Sequence, residues 1–139
     1  MIVQEFKYRI LYADTDAMGV VYYANYFRIY EAARADFLDK IQTPISQIMK
    51  GGIINPVIKA EIQYILPAQF DWEVKVVSKV EKFPMAKFIF LHEMYSPDNI
   101  LLNRATVALA FVDNKIFRPV RCPEWILKNL QPYFNEQIL

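Results

Sequence analysis

The sequence predicts an α+β fold in which one curved antiparallel sheet wraps a single long helix, and three observations carry that prediction. From Tyr26, the residues Tyr26, Ile29, Tyr30, Ala33 and Phe37 recur at i, i+3, i+4, i+7 and i+11, which puts them on one side of a helix. Later segments alternate with a period of two instead: Phe70, Trp72, Val74, Val76 and Val80 fall opposite Asp71, Glu73, Lys75, Lys79 and Glu81. The connections between the later strands are short, and strands joined by short turns must run antiparallel.

The elements follow in order. Residues 2–12 alternate Phe6, Tyr8, Ile10 and Tyr12 with Glu5, Lys7 and Arg9, a half-buried strand. An acidic turn leads into the long helix, whose start is expected near Tyr22 or Tyr23. Asn25, Arg28, Asp36 and Asp39 form its polar side, while Phe27, Ala32, Ala35 and Leu38 fill much of the remaining circumference. Thr43 is placed to cap a short second helix, with Pro44 at its first position and Gly51 and Gly52 ending it. Strands are expected over 57–66, 70–82, 85–95 and 100–112. The turn Ser96-Pro97-Asp98-Asn99 joins the last two. A hairpin at Asp113 and Asn114 returns residues 116–120, and Pro123 opens a terminal helix to about Leu130.

Composition bounds the function. A chain of 139 residues is expected to form one domain, 1–139, around a sizeable core. It is 55% hydrophobic and 15% aromatic, and the strands over 85–95 and 100–112 are apolar on both faces, which one helix cannot cover. An oligomer, at least a dimer, joined by edge-to-edge strand pairing, is therefore expected. A formal charge of +1 gives no global field for nucleic acid or an anionic membrane. Cys122 is the single cysteine, which excludes an internal disulfide and suits a reducing compartment. The opening MIVQEFKYRI lacks the charge-then-apolar pattern of a signal peptide, and no span approaches ~18 uninterrupted apolar residues, so no transmembrane segment is expected and the location is read as cytoplasmic.

Elimination narrows the chemistry. His92 is the sole histidine, and Ser46, Ser78 and Ser96 stand in no G-x-S-x-G elbow, so a serine triad is not indicated. One histidine and one cysteine leave no transition-metal cluster. Asp14-Thr15-Asp16-Ala17-Met18-Gly19 imitates the start of a calcium loop, but Met18 at position five and Asn25 at position twelve deny it the later oxygen ligands. No metal and no cofactor are expected. What remains is a carboxylate just ahead of a helix N-terminus in aromatic surroundings. In one reading Asp14 and Asp16 only shape the turn or complement the helix dipole. In the other, backbone N–H groups near Tyr22 and Tyr23 polarise a carbonyl oxygen while an aspartate activates water or attacks, and Gly19 lets substrate approach the backbone. An ordinary aspartate, with a pKa near ~3.9, is a feeble base, so this apparatus suits an activated acyl group such as a thioester.

The run YADTDAMGVVYYANYFRIYEAARADFL carries D-x-D-x-x-G-x-V-x-Y, then N-Y and an E-x-A-R helix. It resembles the hotdog-fold thioesterases of the 4-hydroxybenzoyl-CoA thioesterase family, especially the bacterial acyl-CoA thioesterases associated with the Tol-Pal envelope system. Weaker agreement continues through YILPAQFD and Arg118-Pro119. The resemblance implies a hotdog fold, interfacial active sites in dimers or tetramers, and hydrolysis of acyl-CoA, with CoA as part of the substrate. It assigns Asp16 as general base or nucleophile and the Tyr23 backbone N–H as the carbonyl donor. Asn25 and Glu31 are expected to position water or the loop, and Lys59, Lys82 and Lys87 are candidates for the phosphates of CoA. Tol-Pal relatives often carry histidine where this chain has Tyr23, which leaves a backbone role intact and removes any imidazole role. Acyl carrier protein is an alternative carrier of the acyl group, and a low-activity acyl-binding or envelope-associated adaptor is the alternative outside catalysis.

Overall fold

In a computed structural model, which describes residues 1–134, a seven-stranded sheet curls around one long helix, the hotdog arrangement that the resemblance implies. The strands are β1 (Ile2–Arg9), β2 (Ile53–Ile54), β3 (Val57–Tyr64), β4 (Glu73–Val80), β5 (Lys87–Tyr95), β6 (Leu101–Asp113) and β7 (Arg118–Val120), and the helices α1 (Asn25–Lys40), α2 (Ile45–Lys50) and α3 (Glu124–Leu130). Every strand pairing is antiparallel: β1 with β4, β4 with β5, β5 with β6. The thirteen-residue β6 carries β3 and then β2 along one edge, and β5 and then β7 along the other. β3 and β4 are consecutive in the chain yet not neighbours, because β3 crosses to the far side of the sheet.

The five residues of the helical stripe, Tyr26, Ile29, Tyr30, Ala33 and Phe37, are all at most 3% exposed. They divide the core in two. The N-terminal half of α1 packs Ile29 and Tyr30 against Val74, Val76, Met94 and Leu102. The C-terminal half packs Phe37 and Leu38 against Phe88, Phe90, Leu109 and Phe111, and α3 closes that end with Ile126 and Leu130. Fully burying one such side chain is worth about 1.5–3 kcal/mol, so this stripe, more than helix propensity, holds α1 in place. Among the described residues no helix is long and apolar enough to cross a membrane.

Several expectations shift. α1 begins at Asn25, after the turn that contains Tyr23, because Tyr22 and Tyr23 are still part of the incoming loop. Ala32 is exposed, so the apolar circumference of the helix is narrower than its composition suggests. β1 stops at Arg9, and Tyr12, 81% exposed, opens a 3₁₀ turn through Asp14. Thr43 does not cap α2. It is buried and donates back to the Leu38 carbonyl at 3.4 Å, while Pro44 occupies the cap position.

β3 is exposed along almost its whole length, with Val57, Ile58 and Tyr64 each about half exposed, although Ile58, Ala60, Ile62 and Tyr64 are apolar. Its one pairing partner among the described residues is β6, so its outer edge offers backbone N–H and C=O groups to solvent. β5 and β6 bury one face under α1. Their other face carries Leu91, Glu93, Arg104 and Thr106, with Lys79 and Glu93 paired at 3.2 Å.

Candidate active site

The loop between β1 and α1 is a short hairpin folded over its two aspartates. Asp16 N–H donates to the Val20 carbonyl at 2.9 Å, and Thr15 pairs with Val21. Between them, the Gly19 N–H closes a turn on the Asp16 carbonyl at 3.1 Å with φ +77° at the glycine, a left-handed conformation that a side chain resists. Nothing lies within 4 Å of where a Gly19 Cβ would stand, so the backbone angle, not crowding, demands glycine.

Asp14 is sealed. It is 0% exposed, and its Oδ2 accepts both the Tyr8 hydroxyl and the Leu11 N–H at 2.8 Å. Its Oδ1 pairs with the Arg28 guanidinium, one turn into α1. Its backbone carbonyl accepts the Tyr22 N–H and the Asn25 side-chain amide, both at 3.0 Å. This one residue thereby fixes β1, the hairpin and the helix entry together, and Asn25 holds the loop. The Tyr22 N–H is consumed in doing so, which removes it as a donor for substrate.

Asp16 differs. It is half-buried, and one carboxylate oxygen accepts the Met18 N–H at 2.8 Å, a side-chain turn within the hairpin. The other oxygen has no protein donor among the described residues. The Tyr23 N–H likewise has no acceptor among the described residues, while the Tyr23 carbonyl accepts the Tyr64 hydroxyl of β3 at 3.0 Å. Around this pair stands an aromatic surface. Tyr22 and Tyr23 rings lie 4.8 Å apart, Tyr26 lies 5.6 Å from Tyr64, and Tyr12 meets Phe70 edge-on at 5.8 Å. Tyr12, Tyr22, Tyr23, Tyr64, Phe70 and Met18 are each between 44% and 81% exposed, an apolar surface of the kind that marks a binding site. The Tyr26 hydroxyl accepts the Ala68 N–H at 3.0 Å; its pKa is raised chiefly by burial, with smaller contributions from Tyr64 and the Asp16 charge.

The remaining sequence candidates lie elsewhere. Glu31 is exposed at the rim of a separate apolar cavity beside α1 and α2. Lys59 is on β3, paired with Glu61 at 3.1 Å; Lys82 is in the turn after β4, and Lys87 starts β5. β4 runs from Glu73, near the hairpin, to Val80, about 23 Å away at 3.3 Å per residue, and Lys82 and Lys87 follow beyond that far end. One chain does not bring Lys82 and Lys87 to Asp16.

His92 does meet a serine. Ser78 Oγ lies 2.7 Å from His92 Nδ1, and the imidazole stacks on Tyr30 at 4.6 Å. Both are sealed beneath α1, at 2% and 0% exposure, and no carboxylate orients the ring, so the pair cannot meet a substrate. Burial, helped by nearby Arg34, pushes the His92 pKa down to about 3 and keeps it neutral. Tyr30 donates to Asn103 beside it. Cys122 is buried too, its thiol pushed up to about 12 and hence unreactive. Sequence reasoning overlooked Arg28 and Tyr64, which anchor the loop. The missed signal is that a fully buried aspartate needs a cation or several donors.

Comparison with known proteins identifies the family of the chain. The acyl-CoA thioester hydrolase YbgC of Escherichia coli is 30% identical over 119 residues, spanning 86% of this chain and 89% of that protein. The acyl-CoA thioesterase YbgC of Haemophilus influenzae is 31% identical over 120 residues, spanning 86% and 88%. The crystal structure of the DHNA-CoA thioesterase of Staphylococcus aureus superposes with a TM-score of 0.88 at 29% identity, over 99% of this chain and 96% of that one. The model of the thioesterase-like superfamily matches residues 10–130, and the chain belongs to that family.

Proposed function

We propose that the protein hydrolyses acyl-CoA thioesters to a free acid and CoA, with Asp16 as general base or nucleophile and the Tyr23 backbone N–H as donor to the thioester carbonyl. The observation that carries this reading is that a half-buried carboxylate with one oxygen uncommitted and an uncommitted backbone N–H belong to the same loop between β1 and α1. A carbonyl oxygen seated on that N–H gains negative charge in the transition state, where a fixed donor stabilises it most. Asp16 then takes a proton from water as it attacks the carbonyl carbon, or attacks itself to give a mixed anhydride that water opens. In either case the C–S bond breaks and CoA leaves as a thiolate that takes up a proton. No further cofactor is needed, and Gly19 sets the turn that presents Asp16.

The exposed β3 edge supports a homodimer, with a homotetramer as the larger form, formed by strand addition that covers Val57, Ile58 and Tyr64. Such an assembly would bring a partner's Lys59, Lys82 or Lys87 toward the phosphates of CoA, and its Glu31 toward the acyl group. Sedimentation at micromolar concentration tests it, and a single monomer species removes it. A cytoplasmic location fits a CoA substrate.

The deciding experiment is hydrolysis of short, long and aromatic acyl-CoAs followed with a thiol-trapping dye, in wild type and Asp16→Asn. We expect turnover in wild type and a loss of ~10²-fold or more in the variant. Near-normal turnover in Asp16→Asn refutes the assignment of Asp16. Absence of turnover on every acyl-CoA, with capture of acyl carrier protein that free CoA does not compete, supports acyl carrier protein as the carrier. Binding without cleavage of either supports the adaptor.

A further inference from the structure

Away from Asp16, a cavity of about 210 Å³ opens between α1, α2 and the sheet, and Arg34 is the only cation among its lining residues. Arg34 stands nine residues past the start of α1 at Asn25, about 14 Å along the helix at 1.5 Å per residue, so the cavity is distinct from the hairpin of its own chain. Its side chain belongs to a residue only 9% exposed, yet none of the ion pairs among the described residues includes it, and it donates no hydrogen bond there. Glu31, the one acid on the rim, is exposed and lies beyond ion-pair distance. One of the two Asn55 side-chain N–H groups is already spent on the Ala110 carbonyl at 2.9 Å. A guanidinium on so enclosed a residue, without an ion-pair partner and with Glu31 acting on it only from a distance, is costly, and its planar fork matches a carboxylate with two parallel hydrogen bonds.

We propose that this cavity binds a short carboxylic acid, its carboxylate paired with Arg34 and its chain lying against Leu38, Ile48, Phe88, Phe90 and Leu109. The walls are apolar apart from Arg34, Glu31 and Asn55, which suits an alkyl or aryl body and supplies too few donors for a phosphate. At roughly 30 Å³ per water-sized group, 210 Å³ houses about seven non-hydrogen atoms, an acid of four to six carbons. The same chemistry has two sources: a free acid, the class of product that a thioester hydrolase releases, or the carboxylate end of an acyl group. The second source rests on the function proposed above; the first does not.

Calorimetric titration of the full chain with hexanoate and with hexan-1-ol tests the site. We expect saturable hexanoate binding at least tenfold tighter than hexanol. Arg34→Met should abolish that difference and Arg34→Lys should restore part of it. If Arg34→Met does not fold, Ile48→Trp fills the cavity from α2 and should abolish hexanoate binding. No saturable binding to wild type, or equal hexanoate binding in Arg34→Met or in Ile48→Trp, overturns the proposal. A second arm compares kcat/KM for adipoyl-CoA and hexanoyl-CoA. A ratio that falls at least tenfold in Arg34→Met identifies the acyl terminus as the ligand. An unchanged ratio with Arg34-dependent hexanoate binding identifies the free acid, and both uphold the site. Titration of Asp16→Asn needs no turnover, so failure of this site and failure of the thioesterase reading give different results.

Discussion

Asp14 and Asp16 occupy the same hairpin, two residues apart, and the fold treats them in opposite ways. Asp14 lies at the base, where β1, the 3₁₀ turn and α1 converge, and four hydrogen bonds and one ion pair reach it: Tyr8 and Leu11 donate to its carboxylate, Arg28 pairs with it, and Tyr22 and Asn25 donate to its carbonyl. Asp16 lies toward the tip, where the turn itself supplies only the Met18 N–H to its side chain. A carboxylate with every oxygen engaged has nothing left to offer a substrate, and its removal strands the donors. A carboxylate with an oxygen left over can act. Residue type is shared by the two, so the difference in what each carboxylate leaves free comes from burial in the hairpin.

Crossing the two substitutions breaks or sharpens that contrast. Asp14→Ala should cost about 3 kcal/mol, because the Leu11 N–H and the Tyr8 hydroxyl lose their acceptor and Arg28 its partner. In a domain of this size that lowers the melting temperature by about 10 °C. Thermal unfolding checks it, and an unchanged Tm would show that Asp14 does not knit the loop. Asp16→Asn should leave Tm within about 2 °C, since the amide oxygen can still accept the Met18 N–H. Its ~10²-fold loss of turnover corresponds to about 2.7 kcal/mol of transition-state stabilisation. A large fall in Tm for this variant would make Asp16 another structural residue.

The helical stripe was legible because burial by a wrapped sheet imposes a period of 3.6 on α1, and all five of its residues are in the core. The alternation in β1 and β4 was legible for the same reason with a period of two. The D-x-D-x-x-G motif pointed to the loop, and the family match over residues 10–130 agrees with that resemblance. The division of labour between the two aspartates was not readable from local pattern, because it depends on Tyr8 and Arg28 meeting Asp14 across separate elements. The strand at β3 was legible from its apolar alternation, but its exposure was not, since an edge that awaits a partner has the same pattern as one already covered. The Arg34 cavity was hidden because E-x-A-R gives no sign of which arginine lacks a counter-ion.

His92 extends the contrast to acid. It is neutral, stacked on Tyr30 and hydrogen-bonded to Ser78, so protonating it requires opening the core. Its folded pKa of about 3 lies below the ordinary value of 6.5, so the unfolded chain binds the extra proton between these limits. The stabilising contribution is present above 6.5 and is lost as pH falls toward 3. Between pH 7 and pH 5 this group alone should remove about 2 kcal/mol. Urea unfolding at the two pH values measures it. The double variant His92→Phe with Ser78→Ala, which keeps a ring on Tyr30 and removes both polar partners, should lose that part of the pH dependence. A retained 2 kcal/mol difference would place the acid sensitivity elsewhere.

The smallest effect separates two roles for Gly19. Its φ of +77° costs an L-residue about 1 kcal/mol, and the space above it is open, so Gly19→Ala should destabilise by that amount without a clash. Asparagine tolerates the left-handed region better than alanine, so Gly19→Asn should recover part of the stability. If glycine serves only to shape the turn that presents Asp16, turnover should follow stability, with asparagine better than alanine. If it also keeps the path to the Tyr23 N–H clear, asparagine, the larger side chain, should be the worse catalyst despite the better fold. The order of kcat/KM in the two variants, set against the order of their Tm values, therefore tells a turn residue from an access residue.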